Sequence, residues 1–285
     1  MNSVSPDFTP PEAAGHDDGI LWWLGQATFA LRRGDTLLLV DPYLSDSLAE
    51  KYRGTLFPHR RMVPIPVDPA GIRGLDAVLC SHGHTDHMDP GTIRAVQTAS
   101  DPAFVVPRAE RAKALDRGVP ADRLVEINAG EDHVVGEVAV RAIPAAHEEL
   151  TQDEMGNYLH LGFVLDVGGV RLYHSGDCVP YEGQADLLRD LGVQVALLPV
   201  NGRDAHRSGN GVPGNFHWYE AVQLCREAGI GTLICHHWGM FDFNTVDPVQ
   251  LASDLSESAP DVHAIVPSVG AAYLLSPDGE VRNAG

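Results

Sequence analysis

The chain has 285 residues and is 44% hydrophobic, enough for a sizeable core in one large domain or two small ones. Its 39 acidic residues against 20 basic ones give a formal charge of −19, which argues against a nuclease or any reader of phosphate backbones. Cys80, Cys178, Cys225 and Cys235 show no C-x-x-C spacing, so neither a zinc ribbon nor a disulfide framework is indicated.

Residues 1–19 are poor in apolar side chains and read as a flexible leader, followed by a single domain over 20–285. No secretory h-region is visible near Met1, and no apolar run approaches the ~18 residues needed to span a bilayer. A cytoplasmic protein without membrane or nucleic-acid partners is expected, acting on a small molecule, with homo-oligomerisation left open. Three strand-like runs open the domain: Ile20 to Leu24, Thr28 to Leu31 and Thr36 to Val40, the last two joined by a hairpin signal at Arg33-Gly34-Asp35. Asp41-Pro42 ends the third; that aspartate either forms a turn or orients a metal-bound histidine.

Prolines 58, 64, 66 and 69 make residues 42–69 irregular. This long loop, carrying His59, Arg60 and Arg61, either lines a site or covers a sheet edge. Helix-like segments (91–99, 108–117) then alternate with strands at 104–106 and 124–127, and Gly130 to His133 reads as a turn. Further strands are expected at 138–143, 158–166, 170–174, 195–200, 232–235, 262–266 and 271–275, with helices at 184–191, 217–228 and 248–256.

The chemistry concentrates in Ser81-His82-Gly83-His84-Thr85-Asp86-His87-Met88-Asp89-Pro90, which follows the apolar run Ala77-Val78-Leu79-Cys80 and precedes a helix start. Imidazole and carboxylate together suit Zn, Mn or Fe, and four such groups within six residues can serve two neighbouring ions. His147, Asp177 and His237 also fall just past apolar strand-like runs. Strand ends of open α/β sheets gather chain-distant ligands, so these positions point to one site. Cys178, beside Asp177, stays open as a functional thiol. His217, before a helix, is ambiguous.

This pattern resembles the metallo-β-lactamase fold superfamily over residues 20 to 275. Trp22-Trp23-Leu24-Gly25, Asp76-Ala77-Val78-Leu79, Asp86-His87-Met88-Asp89, Tyr173-His174-Ser175-Gly176-Asp177 and Cys235-His236-His237 are most similar to its L-ascorbate-6-phosphate lactonase group. The resemblance implies an α/β (α+β) fold: an αββα sandwich of two mixed sheets flanked by helices. It also implies two divalent ions, zinc or manganese, with His82, His84 and His147 holding one and Asp86, His87 and His237 the other. Asp177 would bridge them. His237 is preferred over His236 because His237-Trp238-Gly239-Met240-Phe241 fits the relatives' His-aromatic-Gly-x-Phe pattern. His236 would then support the ligands or touch substrate.

The expected activity is metal-dependent hydrolysis, with a hydroxide between the ions attacking a lactone or related ester of a small sugar-derived substrate, with or without a phosphate, and Asp86 or Asp177 relaying the proton. Arg203 and Arg207, with His206, are the candidates for holding an anion. Two rivals are a phosphodiesterase resembling the N-acylphosphatidylethanolamine phospholipase D branch, which Arg60 to Pro66 also resembles, and a non-catalytic metal-binding sensor of the same fold.

Overall fold

The computed structural model describes residues 4–5, 7–12, 14–15, 18–276 and 279–284. In chain order the elements are β1 (Gly19–Gly25), β2 (Thr28–Arg33), β3 (Thr36–Val40), α1 (Ser47–Lys51), β4 (Ala77–Leu79), α2 (Pro90–Val96), β5 (Ala103–Pro107), α3 (Arg111–Asp116), β6 (Leu124–Ile127), β7 (Asp132–Val135) and β8 (Val138–Pro144). There follow β9 (Leu161–Val167), β10 (Val170–His174), α4 (Gln184–Asp190), β11 (Val195–Pro199), α5 (Ala205–Gly209), α6 (Trp218–Ala228), β12 (Thr232–His236), α7 (Pro248–Ser258), β13 (His263–Ile265), β14 (Ala272–Leu275) and β15 (Val281–Asn283).

The strands form two mixed sheets. One runs β15-β14-β1-β2-β3-β4-β5-β6 and the other β13-β12-β11-β10-β9-β8-β7. Their inner faces meet in one core, where Leu21, Phe29, Leu38 and Leu79 of the first sheet join Val140, Phe163, Leu172 and Ile234 of the second. Strand side chains alternate, so Leu37 and Leu39 point the other way, toward Ile93 and Val96 of α2. On the second sheet, Ala196, Leu198 and Leu233 pack under Leu188, Ala221 and Leu255 of α4, α6 and α7. Both faces are covered, which is why a strand such as Thr36 to Val40 is apolar at nearly every position. The αββα sandwich is the fold observed.

Strand direction decides where the loops gather. β3, β4 and β5 are parallel, so the chain leaves β3 at Asp41 beside the place where it leaves β4 at Cys80. In the second sheet β10, β11 and β12 are parallel, and β8 runs the same way because both β8 and β10 pair antiparallel with β9. The loops after β4, β8, β10 and β12 carry every expected donor.

Local differences from the sequence reading have simple causes. Within the described part of the expected leader, Phe8 is buried edge-on against Trp22 at 5.3 Å and Val4 N–H donates to Pro66 O at 3.0 Å. Residues 1–3, 6, 13, 16 and 17 lie outside the described residues. The expected turn at Gly130 to His133 becomes the start of β7, an edge strand whose polar Asp132 and His133 hid it. The irregular loops at 42–69 and 201–215 each contain one short helix, α1 and α5. Among the described residues no helix is long and apolar enough to cross a membrane.

Candidate metal centre

The donor loop is held at both ends. Cys80 N–H donates to Val105 O at 2.9 Å, continuing the ladder just past β4. At the far end Asp89 caps α2, accepting from Gly91 N and Thr92 N at 3.0 Å each, with Pro90 in the first turn. Asp89 is therefore a helix cap, while the histidines between are turned toward the sheet edge by bonds from the His87 and Met88 N–H groups to His84 O at 3.2 and 2.9 Å. Gly176 lets the loop after β10 pass this one: with φ +61°, a Cβ there would lie 2.5 Å from Ser81 Oγ.

Two groups of donor atoms result. His82, His84, His147 and Asp177 form one, and Asp86, His87, Asp177 and His237 the other, with the atoms of each group within 4.8 Å of one another. Asp177 belongs to both. Its Oδ1 lies 3.0 Å from His237 Nε2 and 3.3 Å from His87 Nε2, while Oδ2 lies 3.9 Å from His147 Nε2. Asp86 Oδ2 completes the second group, 3.6 Å from His237 Nε2 and 3.7 Å from His87 Nε2.

The donor set fits divalent cations. His82 Nε2, His87 Nε2, both nitrogens of His147 and Asp177 Oδ1 are buried without a hydrogen-bond partner. Left so, each costs about 1–3 kcal/mol, and each of these four side chains brings one ligand atom into the two donor groups, an arrangement that fits completion by cations.

Asp41 fixes which nitrogens point inward. Its Oδ2 lies 2.7 Å from His87 Nδ1 and accepts from Ser81 Oγ at 2.6 Å, and its Oδ1 accepts Ser81 N–H at 2.6 Å. Ser81 Oγ in turn lies 3.0 Å from His82 Nδ1. With its own proton given to Asp41, this oxygen accepts from His82 Nδ1–H. One carboxylate thus sets the tautomer of one histidine in each group, directly for His87 and through Ser81 for His82, leaving both Nε2 atoms as ligands. Of the two readings of Asp41, the structure shows the histidine-orienting one. The residue adopts a left-handed φ of 45° to reach this position.

Without cations the charges pair internally. Burial works against ionised His87, but Asp177, Asp41 and Asp86 outweigh it and raise its pKa well above the ordinary range. His237 is raised to about 9 despite burial, by Asp177 and Asp86. Reciprocally, His87 and His237 hold both carboxyls below the usual range against the upward push of burial. The three histidines of the other group are neutral, because burial draws His82 well down, His84 down and His147 down to about 3.

The three expected substrate contacts stand elsewhere. Arg203 is clamped by both oxygens of Glu220 at 2.6 and 2.7 Å, in the capping box of α6 where His217 is the N-cap. Arg207 bonds Asp204, Asn244 and Asn201 O. His236 is fully buried, stacked on His174 at 5.0 Å and edge-on to Phe29. Polar loop composition suggested solvent-facing cations; Arg203 finds its carboxylate in α6, while Arg207 is engaged by Asp204 three residues before it. Cys178 is buried, which pushes its thiol up to about 12 and removes it as a nucleophile.

Two residues at the site carried no signal of their own. His160, at the end of a polar loop, packs 5.1 Å from His82 and 5.2 Å from His147. Gln26 donates its amide to Asp86 Oδ2 at 2.9 Å, with the same nitrogen 3.0 Å from His237 Nε2. A cavity of about 560 Å³ opens over the donors, reached by His84, Asp86, His147, Asp177 and His237.

The family comparisons agree with this geometry. Residues 36–238 match the model of the Beta-lactamase superfamily domain. A "UPF0173 metal-dependent hydrolase" of Myxococcus xanthus is 28% identical over 279 residues, covering 95% of this chain and 88% of its own. One of the same name from Methanoculleus marisnigri is 31% identical over 187 residues, covering 64% of this chain and 68% of its own. Among solved structures, the isothiocyanate hydrolase from Delia radicum gut bacteria superposes with a TM-score of 0.70 at 19% identity, covering 89% and 97% of the two chains, which speaks to the fold. The chain belongs to the metallo-β-lactamase superfamily, among its metal-dependent hydrolases.

Proposed function

We propose that this chain hydrolyses a lactone or related ester of a small molecule at a two-cation centre, zinc or manganese. The observation that carries the reading is Asp177, whose two oxygens face the two donor groups from opposite sides beneath one cavity. Divalent cations held there supply Lewis acidity, bringing the pKa of water to about 7 and polarising a carbonyl oxygen.

The chain's own residues do the rest. His82, His84 and His147 would hold one cation, and Asp86, His87 and His237 the other. Asp86 is the better placed of the two carboxylates to move a proton, since its side chain is 18% exposed to the cavity against 7% for Asp177. It would take a proton from the attacking water at Oδ1, leaving Oδ2 to the cation and Gln26, and return it to the leaving alkoxide oxygen. Asp177, more deeply set, orients the donors. No side-chain nucleophile is needed.

A phosphorylated substrate loses its two proposed anchors, since Arg203 is engaged by Glu220 of α6 and Arg207 by Asp204 and Asn244. The test is a panel of lactone, thioester, phosphodiester and isothiocyanate substrates run on enzyme of defined zinc or manganese content. Lactone or ester turnover that is lost in Asp86→Ala and in chelator supports the reading. Faster turnover of the phosphodiester, or activity that persists in chelator, would overturn it.

A further inference from the structure

Away from the donors the same cavity changes character. A second part of its lining is supplied by Tyr52, Phe57 and His59 of the 42–69 loop, with Val212, Pro213 and Phe241 from two later segments. These rings support one another. Tyr52 stacks on His59 at 4.3 Å and 22°, and His59 meets Phe241 edge-on at 5.0 Å. Phe57 lies 4.7 Å from Phe243, which also meets His59 at 4.8 Å. His59 takes a left-handed φ of 47° to stand there, and its Nδ1 is 2.6 Å from Phe57 O. Burial lowers its pKa, so this ring adds no positive charge at neutral pH.

Two of the three lysines and arginines lining the cavity, Lys113 and Arg117, are engaged by polar groups. Lys113 pairs with Glu110 at 2.7 Å. Arg117 donates to His84 O at 3.1 Å and Met88 O at 2.7 Å, bracing the donor loop. Lys51 lies over the Tyr52 ring, 5.0 Å from its centre. Among the described residues lining the cavity no guanidinium fork is presented to a dianion, whereas Tyr52, Phe57, His59 and Phe241 present an apolar and aromatic wall to a flat or branched group.

We propose that this wall is an aryl subsite: the substrate joins its hydrolysable carbonyl to an uncharged aromatic or similarly apolar group that lies against the cavity-facing surface of Tyr52, Phe57, His59 and Phe241. The volume of about 560 Å³ suits a drug-sized molecule held by few polar contacts. This inference rests on the ester-hydrolase reading for its reaction but not for its binding.

The experiment therefore has a binding arm and a rate arm, both on metal-loaded protein. Calorimetry compares hydrocinnamate with sulfopropanoate, acids that share a carboxylate and differ at the distal end. Hydrocinnamate is expected to bind at least about tenfold tighter, the ratio that burying a phenyl-sized group supplies. Rates compare a δ-lactone bearing a phenyl substituent with one bearing a phosphomethyl group at the same carbon. The phenyl lactone should be favoured about tenfold to a hundredfold in kcat/KM. Tyr52→Ala should erase most of that preference through KM, and Tyr52→Phe should keep it, with a thermal melt verifying that both fold. Equal or tighter binding of sulfopropanoate, or a preference untouched by Tyr52→Ala, overturns the subsite. Hydrocinnamate binding with neither lactone turned over sustains the subsite and sinks the lactone reading alone.

Discussion

Gln26 and His237 hold each other. His237 N–H donates to Gln26 O at 2.9 Å, and the Gln26 amide nitrogen lies 3.0 Å from His237 Nε2. Both residues have left-handed φ angles, 51° and 62°, a conformation that non-glycine residues keep only when their surroundings enforce it. Trp23 contributes by donating Nε1–H to Gln26 O at 3.0 Å while its rings pack 4.9 Å from Trp238. A strand-end turn in the first sheet thereby sets the position of a donor from the second.

Gln26→Ala should weaken the cation at Asp86, His87 and His237 by about tenfold to a hundredfold, the usual effect of removing a group that orients ligands. The cation at His82, His84 and His147 should be little affected, because Gln26 touches none of those residues. Chelator competition with elemental analysis separates the two. Equal loss of both cations would show that the amide acts on the fold as a whole.

Asp41 should behave differently, since it reaches both groups. Asp41→Ala strips an acceptor from Ser81 N, Ser81 Oγ and His87 Nδ1 in a fully buried position. The expected destabilisation is about 3 kcal/mol or more, with weakened binding of both cations. Thermal melts with and without metal would reveal it, and a variant melting like the parent would exclude this role.

The metal-free protein should lose stability above neutrality. His237 is raised to about 9 in the folded chain, against about 6.5 unfolded, so the folded state binds the extra proton between those values. That contribution is complete below pH ~6.5 and disappears as pH rises through about 9. His147, lowered to about 3, acts in the opposite window: the unfolded chain binds its proton first, so stability falls as pH drops from ~6.5 toward 3. Denaturant titrations from pH 4 to 10 should therefore give a maximum near neutrality. Cation loading, which needs His237 deprotonated, should release protons near pH 7, measurable by calorimetry in buffers of different ionisation enthalpy.

Arg203→Ala should leave KM nearly unchanged and lower the melting temperature by about 2–4 °C, the response to losing about 1 kcal/mol in a chain of this size. Its guanidinium is committed to Glu220, which in turn caps α6 through His217 N–H at 2.8 Å. A large rise in KM would restore it as a substrate contact.

The donors were legible in the sequence because each follows a strand, and strand ends converge whatever the loop lengths between them. The sandwich was expected from the family resemblance, since apolar strands show that a sheet is covered on both faces without showing how two sheets stack. What stayed hidden depends on pairing across the chain. Nothing near Arg203 announces Glu220 as its partner, and nothing near Gln26 announces His237. His236 and His237 look alike in sequence. The side chain of His236, in the last position of β12, is buried against Phe29 and His174, while His237 turns out by a left-handed φ that only tertiary contacts enforce.

The donor groups draw on both sheets: the His82 to His87 loop leaves the first, and His147, Asp177 and His237 leave the second. A bound ion is then a rivet through the open edge of the sandwich, fastening segments that the chain alone keeps far apart. By loop-closure reasoning, a fastener joining points a hundred residues apart contributes about 4.7 kcal/mol when it forms. It also inspects the product of folding. Only a chain whose sheets have docked in register presents all the donors at once, so metal uptake is a readout of correct assembly as well as a condition of activity.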